Sequence, residues 1–202
     1  MELISTSYTP EQFPKKVHHS LELALIGRSN VGKSTLINHL GNNRHLAKIS
    51  ARPGKTKSIN FYKQDHLLLV DLPGYGFAHR TQEERAQFGT LTDAYFKRPP
   101  DGILFLLDAR HDPSEEDFAF FTWCPFPLLF VFTKTDKLGA SERLGQCERL
   151  ASHFPGASWT VPKAAAPFVK GLWAHFRKKP SFASTVKQPD STPSKIGSSK
   201  SP

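Results

Sequence analysis

The stretch Gly27-Arg28-Ser29-Asn30-Val31-Gly32-Lys33-Ser34 decides the fold class. It follows an apolar run of strand length, Leu21-Glu22-Leu23-Ala24-Leu25-Ile26, and precedes a segment in which Leu36, Ile37 and Leu40 share one helical face. The spacing G-x-x-x-x-G-K-[ST] between a strand and a helix is that of a phosphate-binding loop. Its glycines let the backbone wrap closely around an anion, successive N–H groups and the helix N-terminus point at phosphate oxygens, and Lys33 reaches the terminal phosphates. Ser34 offers its hydroxyl to magnesium.

Working outward, three more apolar runs have the length of buried strands: His66-Leu67-Leu68-Leu69-Val70, Ile103-Leu104-Phe105-Leu106-Leu107 and Pro127-Leu128-Leu129-Phe130-Val131-Phe132. Helical spacing falls between and after them, in Phe88, Leu91 and Tyr95 and in Phe168, Leu172, Trp173 and Phe176, whose aromatics read as core. This alternation predicts an α/β chain, a mostly parallel sheet with helices on both faces. Ser58 to Lys63 adds a strand expected to pair antiparallel with 66–70 through a turn at Gln64-Asp65.

The motifs at the strand ends narrow the ligand. Asp71-Leu72-Pro73-Gly74 is a D-x-x-G in which Asp71 holds magnesium through water and the Gly74 N–H senses a terminal phosphate. Thr133-Lys134-Thr135-Asp136 is a T-K-x-D at the carboxyl edge of the sheet, where open α/β folds bind ligands. Asp136 can accept from the ring N–H and the exocyclic amine of guanine, whereas adenine would leave the carboxylate short of partners, at roughly 1.5–3 kcal/mol per lost charged hydrogen bond. In the basic loop Asn42 to Lys57, Arg52-Pro53-Gly54-Lys55-Thr56-Lys57 occupies the interval of the first switch of a small GTPase, and Thr56 is the residue placed to close over magnesium and the terminal phosphate. A phosphate-loop kinase of nucleosides or small metabolites is the competing enzyme class; the T-K-T-D tetrad and the lack of an obvious lid argue against it.

Together these residues resemble the EngB family of GTPases, bacterial and organellar factors in assembly of the large ribosomal subunit. The resemblance rests on Gly27 through Asn38, which takes in Thr35, on Pro53-Gly54-Lys55-Thr56 with Ile59-Asn60-Phe61, and on Asp71-Leu72-Pro73-Gly74-Tyr75-Gly76-Phe77-Ala78, with Asp108-Ala109-Arg110-His111 like the family's fourth-strand ending. It covers about residues 5–177. It implies a three-layer P-loop GTPase fold, a mostly parallel six-stranded sheet with one antiparallel edge strand. It also implies GTP and GDP as ligands, magnesium as cofactor, precursor large subunits and rRNA as partners, no DNA, a monomer, a cytoplasmic location and a part in cell growth and septation. The family's fifth motif, a Ser-Ser or Ser-Ala pair that touches the guanine carbonyl through backbone N–H, falls at Thr160-Val161-Pro162-Lys163. Proline has no N–H, which leaves Val161 as the donor expected there. Tyr75 stands where many GTPases carry the glutamine that orients water. Slow intrinsic hydrolysis is therefore expected, raised by potassium beside Asn30, as in potassium-activated relatives, or by a group from the ribosome. A GTP-gated RNA-binding module with incidental turnover is the non-enzyme alternative.

The rest of the sequence bounds these readings. At 202 residues the chain suits one domain with short extensions, read as an N-terminal extension at 1–20, the G domain at 21–179 and a disordered basic tail at 180–202. Arg177, Lys178, Lys179, Lys187, Lys195 and Lys200 against Asp190 alone place five of the nine net positive charges in 177–202, so the folded part is only modestly basic. No apolar run approaches the ~20 residues that span a bilayer, and Cys124 and Cys147 have neither disulfide-framework nor zinc spacing. The histidines lack H-x-x-x-H spacing, and Asp112, Glu115, Glu116 and Asp117 read as an acidic helix start favoured by the helix dipole.

Overall fold

The computed structural model describes residues 1–16, 19–48, 58–75, 90–162 and 164–177. Gly54, Lys55 and Thr56, with Arg52 and Lys57, lie outside the described residues, as do Gly76, Phe77, Ala78, Phe88, Lys163 and the tail 180–202.

The strands are β1 (Glu2–Ser7), β2 (Leu21–Gly27), β3 (Ile59–Gln64), β4 (Leu67–Asp71), β5 (Gly102–Asp108), β6 (Leu128–Thr133) and β7 (Ser158–Thr160). The helices are α1 (Lys33–Leu40), α2 (90–96), α3 (Glu115–Trp123), α4 (Arg143–Ser152) and α5 (Ala165–Arg177). β2 carries apolar side chains toward both faces and is buried throughout, because alternate residues feed two separate cores. Leu21, Leu23 and Leu25 join Leu36, Ile37 and Leu40 of α1 and Phe168, Leu172 and Phe176 of α5 on one face. Ala24 and Ile26 join Leu91 and Tyr95 of α2, Phe120 and Phe121 of α3 and Leu150 of α4 on the other. The aromatics of α5 are thus core, as read from their spacing, with Trp173 partly buried under the Arg177 guanidinium 4.2 Å from its ring centroid.

The sheet runs in the order β1-β3-β4-β2-β5-β6-β7, one strand more than the six expected. β4, β2, β5, β6 and β7 are mutually parallel, and β3 pairs antiparallel with β4 from Asn60↔Asp71 to Gln64↔Leu67. The turn falls at Asp65-His66, one residue later than expected, with Asp65 in the left-handed region at φ 51°. β3 opposes the other strands, but it is not the edge. β1, assigned from sequence to an extension, pairs along its outer side from Glu2↔Lys63 to Ser7↔Ile59. An uncovered β3 would present a row of unpaired N–H and C=O groups, and β1 satisfies them. A register shift between Leu3 and Ser5 irregularises the pairing of the new edge.

β2 lies between β4 and β5, and the chain departs from it in both directions across the sheet. The crevice at the carboxyl end of β2 is therefore the topological switch point, and the phosphate loop begins there. After α1, the buried Asn38 accepts from the Ala47 N–H at 2.6 Å and donates its amide toward Arg44 O and Ala47 O, both at 3.0 Å. That side chain pins the start of the basic loop against the core.

Candidate functional site

The phosphate loop, the D-x-x-G segment, the T-K-x-D tetrad and the described part of the fifth motif follow the carboxyl ends of β2, β4, β6 and β7. At the end of β2, Gly27 cannot be another residue: a Cβ there would lie 2.6 Å from Leu106 O and 2.9 Å from a Val31 methyl carbon. Gly32, at φ 114°, provides the positive dihedral from which α1 starts. No side chain caps α1, so its first N–H groups face the loop without an internal side-chain acceptor, the arrangement in which an anion serves as the cap. Within the loop, Val31 N–H donates to Arg28 O at 3.2 Å and the Lys33 ammonium donates to Gly27 O, also at 3.2 Å. Ser34 is half-buried, while Arg28, Asn30 and Thr35 are exposed. Asn30 sits at φ 60°, a region asparagine tolerates better than most residues.

The D-x-x-G segment rests on this loop. Ser29 N–H donates to Tyr75 O at 3.1 Å, and Arg28 and Tyr75 form an isolated parallel bridge. A Cβ at Gly74 would stand 2.9 Å from Lys33 Nζ and 3.0 Å from Ser29 N, so any larger residue would push the lysine aside and crowd the loop backbone. Asp71 is buried, and its Oδ1 has no hydrogen-bond partner among the described residues. Burial pushes this carboxyl up to about 6, with the nearby Lys33 charge working in the opposite direction. An orphaned carboxylate oxygen within the field of the Lys33 ammonium fits a hydrated divalent cation. Among the described residues no three His, Cys, Asp or Glu side chains converge as a metal cage, so such an ion would depend on hydroxyl, water and ligand phosphate oxygens.

The T-K-x-D tetrad is joined to the same loop. The Thr133 hydroxyl lies 2.6 Å from Val31 O and 3.1 Å from Leu107 O, where its single proton bridges β6 to the phosphate loop and to β5. Lys134 adopts φ 55° and places its ammonium 2.9 Å from Asp108, which Arg110 also holds at 2.8 Å. Burial alone would raise the Asp108 carboxyl, but hydrogen bonds from Arg110 and Lys134 outweigh it and hold the group well below the ordinary carboxylate range. Asp136 lies exposed in the single 3-10 turn Thr135–Lys137, 3.3 Å from the Lys137 ammonium. Gly32, Thr35, Leu36, His39, Thr133, Lys134, Thr135, Asp136 and Pro162 line a cavity of about 320 Å³. The structure thereby brings three of the sequence motifs around one space. Among the described residues of the fifth motif, Thr160 to Pro162, only Pro162 lines it. Thr160 and Val161 face a separate groove of about 380 Å³ between β7 and α5, which also holds Pro167 and Gly171.

Two features were not read from the sequence. Asp108 anchors Lys134, a pairing that needs β5 and β6 side by side in register, Asp108↔Thr133. Asp117, read only as part of an acidic helix start, is 2% exposed and accepts the Tyr75 hydroxyl at 2.5 Å. Its second oxygen takes the Ser114 N–H at 2.6 Å and the Ser114 hydroxyl at 2.9 Å. The Ser114-x-x-Asp117 spacing of this capping box was the available signal. Burial first, and then Asp117, push the Tyr75 phenol well above its ordinary value, so it remains a donor.

The sequence pattern of the 50S ribosome-binding GTPase family matches residues 22–134, more than half of the chain. A probable GTP-binding protein EngB of Lactobacillus gasseri is 44% identical over 147 residues, covering 70% of this chain and 75% of its own. One from Halothermothrix orenii is 42% identical over 151 residues, covering 72% and 75%. Among solved structures, a probable GTP-binding protein engB superposes with a TM-score of 0.61 at 20% identity over 78% of this chain and 100% of that one. Era, crystallised with MgGDPNP and a segment of 16S ribosomal RNA, gives 0.61 at 20% over 88% and 61%. At these identities the structural likenesses bear on the fold.

Proposed function

The chain belongs to the EngB family of GTP-binding proteins, within the 50S ribosome-binding GTPases, and from that premise we propose that it binds GTP and GDP with magnesium, hydrolyses GTP slowly, and serves as an assembly factor on the precursor of the large ribosomal subunit. The observation that carries this reading is the Thr133 hydroxyl 2.6 Å from Val31 O, which locks the base-reading tetrad to the phosphate loop around one cavity.

In this reading the uncapped start of α1 and the loop amides receive the phosphates, and Lys33 exchanges Gly27 O for a terminal phosphate oxygen. Ser34 and Asp71, with Thr56 from outside the described residues, would hold magnesium, which would neutralise phosphate charge. Gly74 serves the terminal phosphate. Asp136 selects guanine, and Pro162 closes the base cavity as a wall rather than as a backbone donor. The Tyr75 hydroxyl is committed to Asp117, which supports a slow intrinsic rate and an outside remedy, potassium beside Asn30 or a group from the ribosomal particle. None of the helices among the described residues is long and apolar enough to cross a membrane, in keeping with work on a ribosomal particle.

Titration calorimetry with magnesium tests the pocket: heat for GTP and GDP and none for ATP is expected, and equal binding of ATP overturns it. Asp136→Asn should weaken GTP by roughly 1.5–3 kcal/mol and relax base choice. Turnover in potassium against sodium, with and without precursor large subunits, should rise in at least one pairing; four equal rates discard both remedies.

A further inference from the structure

Tyr75 is anchored at both ends. Its carbonyl accepts from Ser29 N–H of the phosphate loop at 3.1 Å, and its hydroxyl donates to Asp117 of α3 at 2.5 Å. Between the two, its ring lies near Phe105 and Phe120, with centroids at 6.3 and 6.5 Å and the Phe120 plane only 15° away from parallel. The receiving carboxylate is itself immobile. Asp117 is 2% exposed, and its other oxygen is taken by the N–H and hydroxyl of Ser114 in the capping box. Capping consumes Oδ2 alone, so Oδ1 is left for Tyr75. Both oxygens of this buried carboxylate are partnered, which makes it a fixed post rather than a surface contact.

We propose that Tyr75 and Asp117 are a positioning pair for the terminal phosphate, holding the adjoining Gly74 against Lys33 and Ser29 so that the site distinguishes a nucleoside triphosphate from a diphosphate. The inference rests on the nucleotide-binding reading above. Gly74 is the residue that the two anchors bracket most directly: a Cβ on it would be 2.9 Å from Lys33 Nζ and 3.0 Å from Ser29 N, so a small shift of the segment changes what faces the terminal phosphate. The phenol is a positioning group and touches no reacting atom. The device explains why a tyrosine can stand where many GTPases keep a glutamine: its ring is spent on holding the loop from α3.

The test compares GTP and GDP affinities of the full chain with magnesium. Tyr75→Phe keeps the ring and removes one hydroxyl; it should weaken GTP about tenfold, the scale of one hydrogen bond to a charged group, and leave GDP unchanged. Asp117→Ala should lower the same ratio, and the double variant should lose no more than the larger single loss, because both remove one bond. Ser114→Ala, which removes one of the two Ser114 bonds to Asp117 Oδ2 and leaves the Tyr75 bond, should lower thermal stability and reduce the GTP-to-GDP ratio by less than Tyr75→Phe does. An unchanged ratio in folded Tyr75→Phe, or additive losses in the double variant, overturns the pairing. Should Asp117→Ala fail to fold, Tyr75→Phe decides alone. Failure of the unsubstituted chain to bind either nucleotide strikes the underlying reading instead.

Discussion

Two buried carboxylates sit at opposite ends of the same sheet and are treated in opposite ways. Glu22, at the amino end of β2, is 1% exposed; it accepts the Tyr95 hydroxyl at 3.0 Å and the Arg98 guanidinium at 2.6 Å. Its own N–H is taken by Asp101 at 2.7 Å, and Arg98 reaches on to Pro14 O. Asp71, at the carboxyl end of β4, is 6% exposed and keeps one oxygen without a partner among the described residues. Burial is nearly the same, so burial does not separate the two; the completeness of pairing does. A paired buried charge holds structure together, whereas an unpaired one costs stability and persists where a ligand completes it. Glu22 is thus tied into the fold at the amino end, whereas Asp71 keeps an acceptor oxygen unpaired at the carboxyl end.

The largest effect expected from this contrast is on Glu22. Glu22→Ala leaves the largely buried Arg98 charge and the Tyr95 hydroxyl unpaired and should cost about 3–5 kcal/mol in urea unfolding, with nucleotide affinity of the remaining folded protein unchanged. Asp71→Asn should do the reverse. With the desolvated carboxylate gone, the nucleotide-free protein should be as stable as the unsubstituted chain or more so, while the rise in melting temperature on adding magnesium and GTP shrinks sharply. An Asp71→Asn loss as large as that of Glu22→Ala would break the contrast.

The smallest effect sharpens the comparison through a third carboxylate, Asp108, which is paired like Glu22 but lies at the carboxyl end. Its folded-state titration is depressed, so its contribution to stability is complete above the unfolded value of about 4 and is lost as pH falls below it. Asp108→Asn should be less stable at pH 7 by up to ~1 kcal/mol, and the gap to the unsubstituted chain should narrow below about pH 4 in acid unfolding. A gap that widens with acid would contradict the pairing with Arg110 and Lys134.

Much of this was legible in the chain. The apolar runs that became β2, β4, β5 and β6 announce themselves because strands buried on both faces carry no alternation, and each was placed within a residue or so of its observed bounds. β1 was not legible. Glu2–Ser7 is largely exposed, and its strand identity comes from β3, which needs a partner for its outer backbone. Glu22 reads as a polar interruption in an apolar run and is a buried ion-pair member only because α2 delivers Tyr95 and Arg98 to it. Which described residue after β7 lines the cavity beside Asp136, Pro162 rather than Thr160 or Val161, likewise follows from where the strand ends in the sheet.

What the linear order of residues determined by itself was local chemistry: a glycine loop before a helix, a carboxylate and a glycine three apart, and a lysine and an aspartate two apart, since each depends on neighbours along the chain. What only the folded arrangement decided was which groups meet across strands and helices: Thr133 with Val31, Lys134 with Asp108, Tyr75 with Asp117, and which carboxylate is left a partner short. Those pairings depend on register and packing between segments separated by 26 to 102 residues, and no local pattern encodes a distance across the sheet.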